Sequence, residues 1–258
     1  MLYTRLDDGT AFEPERNVLQ AAAGLDGGGS VAADTRGSVY VTWHAPTPGT
    51  KGEKNRRVWV ARSSDDGRTF GREEPVSAAA TGGCGCCGMR AFADRQGAVY
   101  VLYRAARAGV HRDMYLLRSA REGTTFEGYK LHEWQTATCP MSTAALAEGA
   151  GGALAAWETD GQVYSARIDP ATGGRFGAVA APGEGRRRKH PAVAANARGE
   201  ALLAWTEGMG WNRGGALAWQ VYDRDGKPTA GQGHAAGVPT WSLVAAFPRP
   251  DGRFVVLY

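Results

Sequence analysis

Four cysteines form the most unusual group of reactive side chains in the sequence. Three of them lie together in the run Cys84-Gly85-Cys86-Cys87, and the fourth, Cys139, comes directly before Pro140 and Met141. Thiols at such spacing can form a disulfide, bind a soft metal ion as thiolates, or fill a buried space as small apolar groups. The sequence leaves these three interpretations open.

The three interpretations differ in which groups they use. A disulfide would join Cys139 to Cys84 or Cys86, with a strained Cys86–Cys87 bridge as a variant. A metal site for Cu or Zn would draw its ligands from thiolates and thioethers, with His190 as a further donor. Its candidate ligands are Cys84, Cys86, Cys87, Cys139, Met89 and Met141. The spacing differs from that of a zinc ribbon, which has two C-x-x-C pairs, and we expect no cofactor to be required otherwise.

Three carboxylates are candidates for acid–base chemistry. Glu158, Asp160 and Glu207 each follow an apolar, β-rich segment. Glycoside hydrolysis needs two carboxyl groups across a cleft, one as the acid and one as the base or nucleophile. The structural alternative is that Glu158 and Glu207 form ion pairs with arginines, for which the candidates are Arg104, Arg188 and Arg213.

Arginines and aromatic rings supply candidate substrate-binding groups. Arg90, Arg104 and Arg188 could hold a substrate carboxylate, because a guanidinium binds a carboxylate through two hydrogen bonds. Trp211 and Trp241 are candidate platforms for sugar rings. His190, next to Pro191, is a candidate base or ligand, with a structural hydrogen bond as the alternative. Arg90 is also a candidate catalytic residue.

A repeated element positions all of these residues. It is a short apolar strand, a turn with Asp or Asn followed by Gly, and a second strand that ends in an aromatic residue. The first copy is Val31–Trp43. There are five copies in all, at intervals of roughly 50 residues, which is the period of four-stranded propeller blades. The sequence therefore predicts an all-β fold, a β-propeller of four-stranded antiparallel blades in a single domain, 1–258. The predicted blades cover about 20–80, 81–135, 136–182, 183–236, and 237–258 with 1–19.

The two ends of the chain are predicted to complete one blade. Trp241–Tyr258 supplies an inner pair of strands, and Met1–Leu19 supplies an outer pair. Joining them would close a five-bladed ring and remove its exposed edges. The alternative is a truncated six-bladed propeller. In either ring, the loops between blades and those between the second and third strands share one face, so the candidate site residues should gather at its channel mouth.

A second motif forms the turns of the outer hairpins. In Ser63-Ser64-Asp65-Asp66-Gly67-Arg68-Thr69-Phe70, Gly67 supplies a positive φ, and Ser63, Asp65 and Thr69 are placed to cap the turn. Phe70 can anchor it beneath the hairpin. The pattern S-x-D-x-G-x-T-F resembles the Asp-box, or BNR repeat, of sialidase-like β-propellers. Ser119–Phe126 is the same frame with Arg121 in place of the Asp, and 169–176 is a degenerate copy.

The resemblance implies a protein that acts on or binds glycans. Active sialidases hold a carboxylate with three arginines and use a Tyr–Glu pair with an Asp acid/base. Arg90 lies at a matching inner-strand position, and Glu158 or Glu207 could supply the glutamate. No Tyr stands at the start of an inner strand, where the fifth copy has Trp241 instead. The resemblance thus implies either an exo-α-sialidase-like glycoside hydrolase or a divergent, non-catalytic glycan binder.

Composition sets the remaining expectations. The 258 residues are 43% hydrophobic and 22% charged, with a net charge of +4. The basic run at 186–189 has no aromatic platform or recognition helix beside it, so we expect a solvated loop and no nucleic-acid partner. No apolar run is long enough to span a membrane, and the first residues already predict a strand, not a signal peptide. We expect a monomer, located outside the cytoplasm if the chain is a piece that lacks its signal.

Overall fold

The computed structural model shows an all-β chain, as the sequence predicts. It describes residues 1–7, 9–120, 122–169, 177–185, 187–210 and 212–258. Within these ranges there are four four-stranded antiparallel sheets, two two-stranded sheets and two short 3-10 turns, Glu53–Asn55 and Ala79–Thr81. No helix there has the length and apolar character that crossing a membrane would require.

The strands follow one another along the chain, and each sheet is built from strands that are consecutive in sequence. The pairs β1–β2 and β19–β20 form the two-stranded sheets, and β3–β6, β7–β10, β11–β14 and β15–β18 form the four-stranded ones. Their bounds are Leu2–Tyr3 (β1), Arg16–Asn17 (β2), Ser30–Ala33 (β3), Val39–Pro46 (β4), Arg56–Ser63 (β5), Glu74–Pro75 (β6), Arg90–Ala93 (β7), Val99–Arg104 (β8), Met114–Ser119 (β9), Glu127–His132 (β10), Ala145–Gly149 (β11), Gly152–Thr159 (β12), Gln162–Ile168 (β13), Val179–Ala180 (β14), Arg188–Ala195 (β15), Ala201–Glu207 (β16), Gly215–Tyr222 (β17), Pro228–Val238 (β18), Ala245–Pro248 (β19) and Phe254–Leu257 (β20).

The chain divides into two compact units. The first comprises Met1–Gly128 and Gln135–Cys139, and the second comprises Tyr129–Trp134 and Pro140–Tyr258. In the first unit β3 contacts β7, and in the second β15 contacts both β11 and β19. The first strands of successive sheets are therefore neighbours within each unit, as the blade repeat predicts.

The second strand of each four-stranded sheet is the most buried. Almost every residue of β4, β8, β12 and β16 is inaccessible, whereas β18 at a sheet edge is mostly exposed. A strand that is covered on both faces needs apolar residues at consecutive positions. Runs such as Val39–Trp43 satisfy this requirement, and Trp43 stands directly opposite Trp59 in the core of the first unit.

The turn between the first two strands repeats the same hydrogen bonds in each copy. Asp34 Oδ1 accepts the backbone N–H groups of Arg36 and Ser38, and Asp94 Oδ1 does the same for the two equivalent residues of the next sheet. Asn196 fills this role in the second unit. The following glycine has a positive φ in all three turns, which explains the Asp/Asn-then-Gly pattern.

The outer turn at 63–70 forms the predicted side-chain bonds. Ser63 Oγ accepts the Gly67 N–H at 2.9 Å, and Asp65 accepts both the N–H and the hydroxyl of Thr69, at 2.8 and 2.6 Å. Phe70 packs edge-on against Tyr3, with 4.8 Å between ring centroids. The predicted second and third copies include Arg121 and residues 170–176, which lie outside the described residues.

The chain ends form two separate two-stranded sheets. Leu2–Tyr3 pairs with Arg16–Asn17, and Ala245–Pro248 pairs with Phe254–Leu257. These are the outer and inner hairpins that the sequence predicts. Their union in one shared blade, the closure of a five-bladed ring and the single-domain organisation stay predictions.

Candidate functional site

The cysteines meet in the first unit, where the structure selects one of the predicted pairings. A disulfide joins Cys86 to Cys139, and Cys84 and Cys87 carry buried thiols. Cys84 Sγ lies 3.2 Å from Cys86 Sγ and 3.5 Å from Cys87 Sγ. The Cys86–Cys87 variant is not formed, and both half-cystines of the observed bridge are exposed.

The buried thiols lie beside two arginines. The hydrogen bond to the Cys87 sulfur, and then burial, raise the pKa of the Cys84 thiol, whereas the charges of Arg112 and Arg104 act in the opposite direction. Arg104 donates from Nη1 to the Arg112 carbonyl at 2.8 Å, and Arg112 makes a two-pronged ion pair with Glu53. Arg104, a predicted substrate-binding residue, is thus buried beside the thiol cluster.

The two methionines of the predicted metal site belong to different units. Met89 packs in the core of the first unit with Val58 and Val101, and its Sδ accepts the Thr42 hydroxyl at 3.2 Å. Met141 belongs to the second unit and has a φ of 48°. In the part of the chain that the structure describes, the Sγ atoms of Cys84, Cys86 and Cys87 lie within 4.8 Å of one another.

His44 is a buried polar residue that sequence reasoning did not select. It lies near the end of β4 and is 1% exposed, and neither ring nitrogen has a hydrogen-bond partner. Burial, with a contribution from the charge of Arg56, lowers its pKa to about 4. A Cβ atom on Gly83 would lie 2.8 Å from the His44 ring, so the ring packs directly against the residue before Cys84. The burial of His44 depends on packing across the unit, which no local sequence pattern records.

Glu207 and Arg188 form an ion pair in the second unit, as the structural alternative predicted. They stand opposite each other where β15 and β16 pair. Glu207 Oε1 accepts from Arg188 Nε and from Trp205 Nε1, both at 2.9 Å. Arg188 also lies over the Trp205 ring and donates to the carbonyls of 181–183. These contacts occupy the Arg188 guanidinium with protein groups.

Glu158 and Asp160 build a tight turn. Asp160 and Gly161, with φ of 52° and 72°, are the two central residues between the paired Thr159 and Gln162. Positive φ at both positions is typical of a type I′ hairpin turn. Glu158 is buried, and its Oε1 accepts the Gly161 N–H at 2.7 Å. Both residues therefore have a structural role in this hairpin.

Three further predicted residues lie at or shortly before the first strand of a sheet. Arg90 is exposed at the first position of β7 in the first unit. In the second unit, His190 is half-buried with Nδ1 3.4 Å from the Thr143 hydroxyl, and burial followed by the Lys189 charge lowers its pKa to about 4. Trp241 is 66% exposed with a φ of 66°. Trp211 lies outside the described residues.

Comparison with solved structures identifies the fold as a sialidase-like β-propeller. A Hadza microbial sialidase matches with a TM-score of 0.58 and 15% identity, over 93% of this chain and 54% of its own. The chain therefore spans about half the length of that sialidase.

An arabinanase and an arabinofuranosidase have the same fold. An α-L-arabinanase of Penicillium chrysogenum, complexed with arabinobiose, matches with a TM-score of 0.58 and 13% identity, over 89% of this chain and 74% of its own. A GH93 α-L-arabinofuranosidase of Fusarium graminearum, also complexed with arabinobiose, has a TM-score of 0.59 and 13% identity. The match covers 89% of this chain and 73% of the arabinofuranosidase. No family model and no curated protein matches the chain.

Proposed function

We propose that this chain is a divergent glycan-binding propeller. The observation that carries the proposal is the propeller fold, shared over about nine-tenths of the chain with structures named as a sialidase, an arabinanase and an arabinofuranosidase. A fold by itself does not define a function. The proposal therefore depends on a ligand-accessible surface within the chain's own residues.

The second unit offers such a surface at the starts of two neighbouring strands. Trp241 precedes β19 and presents a mostly exposed indole, which an aromatic platform for a sugar ring requires. Lys189 and His190 lie at the start of β15, which contacts β19. A non-glycine residue with positive φ, such as Trp241 or His190, is held in place by its surroundings and is often found at binding sites.

The acids of this unit favour binding over hydrolysis. Glu207 is engaged by Arg188 and Trp205, and Glu158 supports the 160–161 turn. A general acid or nucleophile must reach the scissile bond, and these contacts direct both carboxylates toward protein groups. Exo-sialidase-like hydrolysis is the second candidate, and a separate assay with fluorogenic substrates tests it.

A glycan array probed with the wild type and two variants tests the proposal. We expect Trp241→Ala to weaken binding by about tenfold, the upper range for loss of one aromatic contact. Phe12→Ala is the matched control, since Phe12 is equally exposed but lies in the first unit, and it should bind like the wild type. Absence of any bound glycan, or equal loss in both variants, would contradict the proposal.

Fluorogenic sialosides and arabinosides test the hydrolytic alternative. If the chain is a binder, turnover stays at background for the wild type. If turnover is found, the variant Glu158→Gln or Glu207→Gln that loses it identifies the acid involved. Wild-type rates in both variants would exclude both residues from the mechanism. We also propose an extracytoplasmic location, which the Cys86–Cys139 disulfide supports because such bonds persist in oxidising compartments.

A further inference from the structure

We propose that Cys84, Cys86 and Cys87 form a three-thiolate site for one thiophilic cation, Cu(I) or Zn(II), and that the disulfide to Cys139 closes this site. The site lies in the first unit and does not depend on glycan binding. Opening the Cys86–Cys139 bond makes the third sulfur available.

The three sulfur atoms lie close enough together to surround one metal ion after a small adjustment. The three Sγ atoms lie within 4.8 Å of one another, with separations of 3.2 and 3.5 Å from Cys84 to Cys86 and Cys87. Thiolates bind zinc at about 2.3 Å, which puts neighbouring sulfurs about 3.8 Å apart in a tetrahedral site and about 4.0 Å apart in a trigonal one. These two separations must therefore widen by about 0.3–0.8 Å for the sulfurs to surround one ion.

The backbone holds the three cysteines in a tight loop. The Cys84 N–H donates to the Arg104 carbonyl at 2.9 Å, and the Cys87 N–H donates to the Cys84 carbonyl at 3.3 Å. A Cβ atom on Gly27 would lie 2.1 Å from the Gly85 carbonyl oxygen, so another segment packs against the loop without room for a side chain. A preorganised loop reduces the entropy that binding would otherwise cost.

The chemistry of the cluster selects a soft ion. Its donors are all sulfur, and thiolates favour Cu(I) and Zn(II) over hard cations such as Mg²⁺. Two of the sulfurs are buried, and the Cys84 N–H donates to the carbonyl of Arg104, whose guanidinium in turn donates to the Arg112 carbonyl, so both arginines lie beside the loop. Positive groups near a buried site offset the excess negative charge that three thiolates leave on a singly or doubly charged ion.

Opening the site is a balanced thiol–disulfide exchange. A dithiol reductant supplies two electrons and two protons and becomes a disulfide, while the Cys86–Cys139 bond breaks into two thiols. The metal ion then displaces the protons of Cys84, Cys86 and Cys87, which pass to solvent. Cys139, which is exposed, keeps a free thiol after the exchange and is not a ligand of the ion.

A metal titration of three protein forms tests the site. The protein is reduced with a dithiol, separated from it under nitrogen, and titrated with Zn(II) or Cu(I) against a chromophoric chelator. We expect about one ion per chain for the reduced wild type and none for the oxidised wild type, as one compact site requires. Cys139→Ser, which leaves Cys86 as a thiol, should bind one ion without prior reduction.

Ligand and control variants complete the test. Cys84→Ser and Cys87→Ser should each lose more than about 100-fold in affinity, beyond the 10–100-fold typical of a group outside the ligand shell. Met89→Leu is the control, since Met89 packs in the core with Thr42, and its affinity should equal that of the wild type. Circular dichroism checks folding; if a ligand variant is unfolded, the Cys139→Ser result decides.

Three results would overturn the site. They are no binding by the reduced wild type, no binding by folded Cys139→Ser, and full affinity in Cys84→Ser or Cys87→Ser. Comparison of the Zn(II) and Cu(I) arms identifies the preferred ion. None of these outcomes depends on the glycan array, so the two proposals fail or succeed separately.

Discussion

At the scale of single residues, His44 makes the stability of the chain sensitive to acid. Its native pKa is about 4, compared with about 6.5 when unfolded, because the buried imidazole resists protonation. Above pH 6.5 both states are neutral. As the pH falls from 6.5 to 4, only the unfolded state gains the proton, so the free energy of unfolding should fall by about 3 kcal/mol from this residue.

Denaturant unfolding between pH 4 and 7 measures this effect. His44→Leu should show a shallower decline toward acid than the wild type. His190, which is also partly buried with a pKa lowered to about 4, adds a decline of the same sign to both proteins, so the difference between them isolates His44. His234→Gln, at an exposed histidine, is the control and should keep the wild-type slope. Parallel slopes in His44→Leu and wild type would refute the assignment.

At the scale of elements, the turn at 63–70 depends on the Asp65 carboxylate. The Ser63 hydroxyl, followed by the Thr69 hydroxyl and N–H, holds the pKa of Asp65 well below its usual range. Asp65→Asn weakens these bonds and should lower the Tm by about 2–4 °C, the shift typical of one lost hydrogen bond in a chain of this size.

Asp66→Asn is the matched control for this turn. It is the same substitution one position along, where φ is 58° and Asn is tolerated. Because a lowered native pKa adds stability above the unfolded value, the difference between wild type and Asp65→Asn should shrink as the pH falls below about 4. Equal Tm values for the two variants at neutral pH would show that the carboxylate is dispensable.

The same elements show which structural features can be predicted from the sequence. The Asp34 and Ser63 turns were predictable because their hydrogen bonds join residues two to four positions apart, so that a short pattern contains all the partners. The sequence could not decide between an ion pair with Arg188 and a catalytic role for Glu207. That choice depends on the register of β15 on β16, which contains an irregularity between Lys189 and Ala192. His44 and the choice of Cys86 as the partner of Cys139 depend on packing between distant segments, which no local pattern records.

At the scale of the molecule, the disulfide is a long-range constraint on the first unit. It joins residues 53 positions apart, between the loop before β7 and the segment after β10. A cross-link of that length lowers the entropy of the unfolded chain by an amount worth about 4 kcal/mol in the loop-closure account. Removing it should therefore destabilise the unit by up to that amount.

A double-mutant cycle with a chelator present separates this constraint from any effect of metal. Cys86→Ser and Cys139→Ser should lower the free energy of unfolding by similar amounts, and the double variant by no more than either, because each change breaks the same bond. A dithiol reductant should reproduce the loss in the wild type and leave Cys139→Ser unchanged. If the two single losses add, or if the reductant also destabilises Cys139→Ser, then the stability lies in the separate side chains and not in the bond between them.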